Sequence, residues 1–237
     1  MKKAAIVTGA SSGIGRQICR ILQKKGYEVF GFGRDFGTKE EEKETAGQAG
    51  VFHPVICDLL DTEALQNHVR KIRSSHEVSV LVNNAGVGYY GLHEELNAKK
   101  IQTMVRTNLE VPMILTNLLL RELKKQAGYI INISSVTAHK SNPHGCAYGA
   151  TKAGLSSFSE SLFDEARKYG VKVVNIQPDM TKTNLYRNAD FCEGEEPESY
   201  LNPEEVAKAV EYVLQQREGM VVTEMTLRPQ LHRIRKK

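Results

Sequence analysis

The stretch "CAYGATKAG" at 146–154 sets Tyr148 and Lys152 four residues apart, just before an apolar-periodic run. Residues i and i+4 share a helix face. Two polar side chains on one face can be a surface accident; they can also be an acid and the charge that tunes it. Upstream, "IINISS" closes with Ser134 and Ser135, and Tyr148 lies thirteen residues beyond Ser135. A second cluster sits near the start. "TGASSGIG" places Gly9, Gly13 and Gly15 after Thr8, with Ser11, Ser12 and Ile14 between them.

These residues need a scaffold. Seven short, β-branched and mostly apolar runs recur along the chain: "AAIVTG", "EVFGFG", "VFHPVICDL", "SVLVNNAG", "GYIINISS", "VKVVNIQP" and "MVVTEMTL". Near-continuous apolarity marks strands covered on both faces, as in a parallel sheet. Amphipathic stretches alternate with them. Ile14, Ile18, Ile21 and Leu22 share one stripe, Leu65, Val69 and Ile72 a second, and Leu155, Phe158, Leu162 and Ala166 a third. Seven strands alternating with helices predict an α/β fold, a doubly wound Rossmann-type parallel sheet with helices on both faces. The 237 residues are read as one domain, 1–237. The stretch "KEEEKETAGQAG" at 39–50 reads as a solvated helix face or a loop. The acidic segment 184–202, with Tyr186, Phe191 and Tyr200, is long for a connection and is expected to be a flap over the site or a mobile segment.

A strand, a glycine-rich turn and a helix start, in that order, form a phosphate cradle. The spacing is not the usual G-x-G-x-x-G. The end of strand two should meet the adenosine ribose, and there the chain reads Gly33-Arg34-Asp35. An acid would accept from a free 2′-hydroxyl; an arginine would pair with a 2′-phosphate. Arg34 lies nearer the strand end and Gly33 leaves room, so NADP is favoured, with NAD kept as the alternative through Asp35. A salt bridge between Arg34 and Asp35 is the bland possibility. Asp58 ends strand three, placed either for the adenine edge or for helix capping, a task Asp61 could also perform. Asn84, Ala85 and Gly86 end strand four, either as a close passage for the cofactor's ribose or as a tight turn.

Taken together, the chain resembles the short-chain dehydrogenase/reductase family in its compact branch. The resemblance rests on "TGASSGIG", "NNAG", Asn108 in "VRTNLE", Ser135, "YGATK" and "NIQPDMTKT", spanning Thr8 to Thr183. It implies that Tyr148 is the general acid that protonates a carbonyl oxygen, or as phenolate takes an alcohol proton. An unperturbed tyrosine titrates near ~10, and a nearby cation lowers that value. Lys152 would supply the cation and hold the nicotinamide ribose. Ser135 would bond the substrate oxygen. Asn108 would sit in a disturbed helix, because Pro112 cannot donate to its carbonyl. That carbonyl could then hold a water on a proton path from Lys152. Pro178 and Thr183 would contact the nicotinamide end. The family's usual glycine after that proline is Asp179 here, which puts cofactor geometry and substrate class in doubt.

The implied activity is NADP-dependent interconversion of a carbonyl and a secondary alcohol by direct hydride transfer. The alternatives are an NAD-dependent alcohol dehydrogenase of the same family and a nucleotide-sensing regulator that turns nothing over. A β-ketoacyl-carrier reductase would need basic residues at the cleft, and the acidic 190–198 segment speaks against it. His139, His144 and Tyr186 either line the pocket or lie on exposed loops. The four cysteines lack C-x-x-C spacing, so they read as reduced thiols in a cytoplasmic protein, and no metal-like pattern is present. Net charge is +4, with "LHRIRKK" at the end read as a solvated basic tail, not a nucleic-acid contact. No run approaches the ~18 apolar residues a membrane span needs. The family often forms dimers or tetramers, and "VPMILTNLLL" at 111–120 suits either such an interface or an ordinary core-facing helix.

Overall fold

A computed structural model describes residues 2–37 and 49–237. The charged stretch read from the sequence at 39–50 therefore lies mostly outside the described residues.

Strands β1 (Lys2–Thr8), β2 (Glu28–Gly33), β3 (Phe52–Ile56), β4 (His76–Asn83), β5 (Tyr129–Ile133) and β6 (Lys172–Pro178) correspond to the first six apolar runs. A short strand β7 (Phe191–Glu193) precedes β8 (Glu224–Leu227), the seventh run, and β9 (Ile234–Lys236) follows it. The main sheet is seven-stranded and parallel, in the order β3-β2-β1-β4-β5-β6-β8. The order reverses between β1 and β4. A crevice forms beyond the carboxyl ends of such strands, and it is where open α/β sheets bind ligands.

Strand β1 shows why four successive residues, Ala4 to Val7, are apolar. Ala4 and Ile6 enter one core and Ala5 and Val7 the other, all fully buried. Successive side chains point to opposite faces, so a strand roofed on both sides alternates nothing. Helices α1 (Gly13–Lys24) and α6 (Pro203–Leu214) pack on one face. Helices α2 (Thr62–Arg73), α4 (Val111–Gln126) and α5 (Cys146–Ala166) pack on the other, and α3 (Ala98–Val105) leads into α4. The expected stripes are the buried ones: Ile18 and Leu22 on α1, Leu65, Val69 and Ile72 on α2, and Leu155, Leu162 and Ala166 on α5. Val111, Leu115, Leu119 and Leu123 seat α4 on the sheet, so its apolar run serves the core.

Caps fix several helix starts. Asp61 accepts from the Ala64 amide at 3.0 Å to begin α2, which settles which of the two acids caps it. Asn202 and Glu205 form a reciprocal capping box at α6. No helix among the described residues is long and apolar enough to cross a membrane.

The basic end segment departs from expectation. It is exposed, yet it is not a solvated tail: β9 pairs antiparallel with β7, inside the acidic 184–202 segment. Arg233 pairs with Glu196, and Arg235 with Glu195 at 3.3 Å. Opposite charges thus face each other at and beside the β7–β9 pair.

Candidate active site

The glycine turn after β1 is closed by side chains from β4's end. The Thr8 hydroxyl oxygen accepts from the Asn84 and Ala85 amides, each at 3.0 Å. The Asn84 side-chain amide donates to the carbonyls of Thr8 (2.9 Å) and Gly9 (3.2 Å). Such crowding dictates two of the glycines. Gly9 has φ +66°, and a Cβ there would stand 2.9 Å from the Asn84 amide nitrogen. A Cβ on Gly15 would stand 2.2 Å from the Gly9 carbonyl oxygen. Ser12 precedes α1 with extended backbone, and its side chain makes no capping bond. The first turn of α1 carries no acidic residue, so the helix itself places no negative charge at the positive end of its dipole. Gly13 lies against the Thr183 side chain, which joins the two ends of one cleft. Ser11 packs at Gly33, whose missing side chain leaves space for it and for the Phe36 ring.

At the edge of β2, Arg34 is exposed and has no hydrogen-bond or ion-pair partner among the described residues. Asp35 does not pair with it; its carboxylate accepts from the Gly37 amide at 2.9 Å. Asp58 is also exposed, and its carboxylate accepts from the Leu60 amide at 3.0 Å. It forms a local turn and caps no helix.

The chemical end is assembled from β5 and α5. Ser135 follows β5, and its hydroxyl oxygen accepts from the Thr137 amide at 3.2 Å. Tyr148 and Lys152 sit one turn apart on α5, both buried, and line the same cleft as Gly9, Ser12, Asn84, Gly86, Ser135, Pro178 and Thr183. Lys152 Nζ donates to the Ile133 carbonyl at 2.8 Å and lies 5.7 Å from the centre of the Tyr148 ring. Burial disfavours charge on both groups. It brings Lys152 down to about 8 and pushes Tyr148 up to about 12, with the Ser135 hydroxyl pulling Tyr148 the other way. The expectation that Lys152 lowers the tyrosine is thus reversed in the protein alone. Desolvation of the phenol is the largest cause, and the Lys152 ammonium donates to a strand carbonyl.

Asn108 lies where the helix is disturbed, as Pro112 requires. Residues Arg106–Glu110 form a π-helical turn between α3 and α4. Such bulges recur at functional sites. The Asn108 side chain is fully buried and clamps a strand-four loop: it accepts from Val87 N and donates to Val87 O, each at 2.9 Å. It also donates to the Thr151 hydroxyl at 3.1 Å, tying the loop to α5. Gly86 sits between Asn108 and Lys152; a Cβ there would lie 3.7 Å from Asn108 Oδ1 and 3.7 Å from Lys152 Nζ.

The site contains groups the sequence reading passed over. Asn83, Asn132 and Asn175 stand side by side on β4, β5 and β6. Asn83 donates to Asn132 (2.8 Å), Asn132 to Ser159 (2.8 Å) and Asn175 to Ser156 (2.9 Å). Ser156 meets Ser134 at 3.0 Å, and Ser134 donates to the Lys152 carbonyl. A polar row under α5 thereby fixes the helix that carries Tyr148 and Lys152. The signal was one asparagine in each of three strand runs. Tyr90, Tyr186 and Phe191 also gather near Tyr148, with Tyr90 at 5.7 Å between ring centres. His139 and His144 do not line the cleft. His139 faces Gln177 and Glu224, and His144 accepts from the Gly91 amide through its carbonyl. Tyr186 does line it, together with Asp179.

Known proteins resemble this arrangement along most of its length. A family model described as short chain dehydrogenase matches residues 3–191. An uncharacterized oxidoreductase of Staphylococcus epidermidis is 31% identical over 231 residues, 96% of this chain and 97% of that protein. A serine 3-dehydrogenase of Agrobacterium fabrum is 31% identical over 240 residues, covering 97% of this chain and 94% of the other. Among solved structures, an alcohol dehydrogenase from the archaeon Thermococcus sibiricus, complexed with 5-hydroxy-NADP, superposes with a TM-score of 0.84 at 26% identity, over 98% of both chains. A metagenomic short-chain oxidoreductase in complex with NADP gives 0.80 at 29% identity, over 97% of this chain and 98% of that one.

Proposed function

The chain belongs to the short-chain dehydrogenase/reductase family and is an oxidoreductase, and on that premise we propose that it uses NADP to interconvert a carbonyl and a secondary alcohol, with Tyr148 as acid and base. One observation carries the reading: Ser135, Tyr148 and Lys152 line the cleft that the glycine turn closes at its other end.

The residues fit a nicotinamide dinucleotide. Gly9, Ser12 and Ile14 line the cleft, and the start of α1, without a side-chain cap or an acid in its first turn, suits a pyrophosphate. Ser11, Ser12, Gly13 and Ile14 would complete that cradle. Arg34 would meet the 2′-phosphate, Asp58 the adenine edge, and Asn84, Ala85 and Gly86 the central riboses. Pro178 and Thr183 would flank the nicotinamide, and Lys152 would hold its ribose. When bound, the nicotinamide supplies or receives the hydride.

Tyr148, protonated well past neutral pH, donates to the carbonyl oxygen as it gains negative charge. Ser135 bonds the same oxygen. The phenolate left behind would be stabilised by the Lys152 charge, and the Asn108 carbonyl, to which Pro112 cannot donate, would hold a water that returns the proton. Preference for NADP over NAD is supported by Arg34 standing without a partner among the described residues while the Asp35 carboxylate accepts from the Gly37 amide. Asp179 beside the nicotinamide end would disfavour anionic substrates. The segment 184–202 would cover the substrate. The working state is expected to be a cytoplasmic homodimer or homotetramer.

The test is a panel of carbonyls and alcohols followed by absorbance of the reduced nicotinamide. Serine belongs in the panel because one relative is a serine 3-dehydrogenase. Turnover that prefers NADPH supports the reading. NADP binding with no turnover across the panel sinks it in favour of a nucleotide sensor.

A further inference from the structure

The end of the chain lies along the segment that faces Tyr148. From β9, Lys236 pairs with Phe191, Arg235 with Cys192 and Ile234 with Glu193. On one flank, Gly194 N donates to Arg233 O at 3.1 Å and Leu231 N to Glu198 O at 2.8 Å. On the other, Lys237 N donates to Asp190 O at 2.8 Å, while its ammonium bonds the carbonyls of Tyr186 and Ala189. Charge reinforces the match. Residues 190–198 hold five acids and residues 233–237 hold four bases, and Arg233–Glu196 and Arg235–Glu195 pair across the seam.

What this seam holds is a wall of rings. Phe191, on β7, has its ring centre 5.1 Å from Tyr90 and 5.6 Å from Tyr186. Tyr90 in turn lies 6.0 Å from Tyr186 and 5.7 Å from Tyr148. Contact therefore runs from the backbone partner of Lys236, through Phe191 and Tyr90, to the proposed acid. Short two-stranded pairings are marginal by themselves, so the ring wall and the paired charges must hold each other in place.

We infer that residues 231–237 are a specificity-determining strap: Arg233, Arg235 and Lys237 are positioning residues that hold Tyr186 and Phe191 against Tyr90, and so restrict the site to compact carbonyl substrates. The inference rests on the functional reading above. No residue of the strap touches the reacting atoms. It acts by limiting the space beside Tyr148, so its removal admits bulkier substrates.

The test compares the wild-type protein with an Arg233→Ala/Lys237→Ala variant. The probes are the best compact ketone of the panel and the same ketone carrying an added phenyl group. Pocket discrimination of about 10-fold or more in kcat/KM is expected for wild type. The variant should cut that ratio at least ~5-fold, on the scale of a few lost pocket contacts, through KM more than kcat, with NADPH affinity unchanged. Adding Arg235→Cys to the variant supplies a thiol directly opposite Cys192, within the reach of a disulfide for paired strand residues. Oxidised glutathione should form that bond, release two reduced glutathiones and restore discrimination; dithiothreitol should abolish it again. An unchanged ratio in the variant, a parallel loss of NADPH binding, or no recovery on oxidation overturns the strap while leaving the functional reading standing. A wild-type protein inert to every carbonyl overturns the functional reading, and the strap's role falls with it.

Discussion

Lys152 stands 5.7 Å from the centre of the Tyr148 ring, while its hydrogen bond goes to the Ile133 carbonyl at the end of the neighbouring strand. The pair shares one cleft. Burial raises the phenol above its ordinary value and keeps it protonated at neutral pH. A neutral phenol that keeps its proton suits the donor role proposed in carbonyl reduction; oxidation would need the phenolate and so would gain from alkaline pH.

Tyr148→Phe removes the hydroxyl and keeps the ring that packs on Tyr90. Turnover should fall at least ~100-fold, the scale of general acid catalysis, while NADPH binding measured by nucleotide fluorescence stays within about 3-fold. Near-normal turnover would exclude Tyr148 as the acid.

If Lys152 stabilises the Tyr148 phenolate as proposed, the pH profile should show it. Its ammonium is held down to about 8 by burial, so the charge available to the phenolate is lost as pH rises through that value. kcat/KM for carbonyl reduction should decline above about pH 8. In Lys152→Arg the guanidinium cannot lose its charge, so any residual activity should lack that alkaline limb. A limb that persists in the variant assigns it to another group.

The proposed preference for NADP is tested at Arg34. Arg34→Ala should weaken NADPH by about 10-fold or more, the loss of one charge-assisted pairing worth ~1.5–3 kcal/mol, and leave NADH within 2-fold or so. Raising the salt should shrink the wild-type preference, since the pairing is exposed. Equal losses for both nucleotides would remove Arg34 from 2′-phosphate recognition.

Asn108→Ala should cost stability before it costs chemistry. It orphans the buried amide and carbonyl of Val87 and the Thr151 hydroxyl contact. Each unsatisfied buried group costs roughly 1–3 kcal/mol, so unfolding in urea should shift by about 2–4 kcal/mol. A variant as stable as wild type would mean that loop and helix hold without the clamp.

Much of the scaffold was legible in the residues themselves. Four successive apolar residues of β1, Ala4 to Val7, announce a strand roofed on both sides, because alternate side chains enter different cores. Pro112 dictates the disturbed helix at Asn108 because a missing N–H acts four residues back. Tyr148 and Lys152 share a face because a helix turns every few residues. The glycine turn between β1 and α1 was readable from its place after the first apolar run, although only packing showed that Gly15 is forced by the Gly9 carbonyl.

Tertiary structure decided what depends on contacts between distant parts of the chain. The asparagine row becomes a network only when β4, β5 and β6 lie side by side. Tyr90 and Phe191 become one wall although about a hundred residues separate them, and the basic end becomes a strand only because an acidic partner lies beside it. The direction of the Tyr148 shift was also out of reach: spacing supplies a cation nearby, but how far water is excluded from the phenol is set by every element packed around it. Sequence spacing determines which groups can meet; burial determines what they cost to charge once they have met.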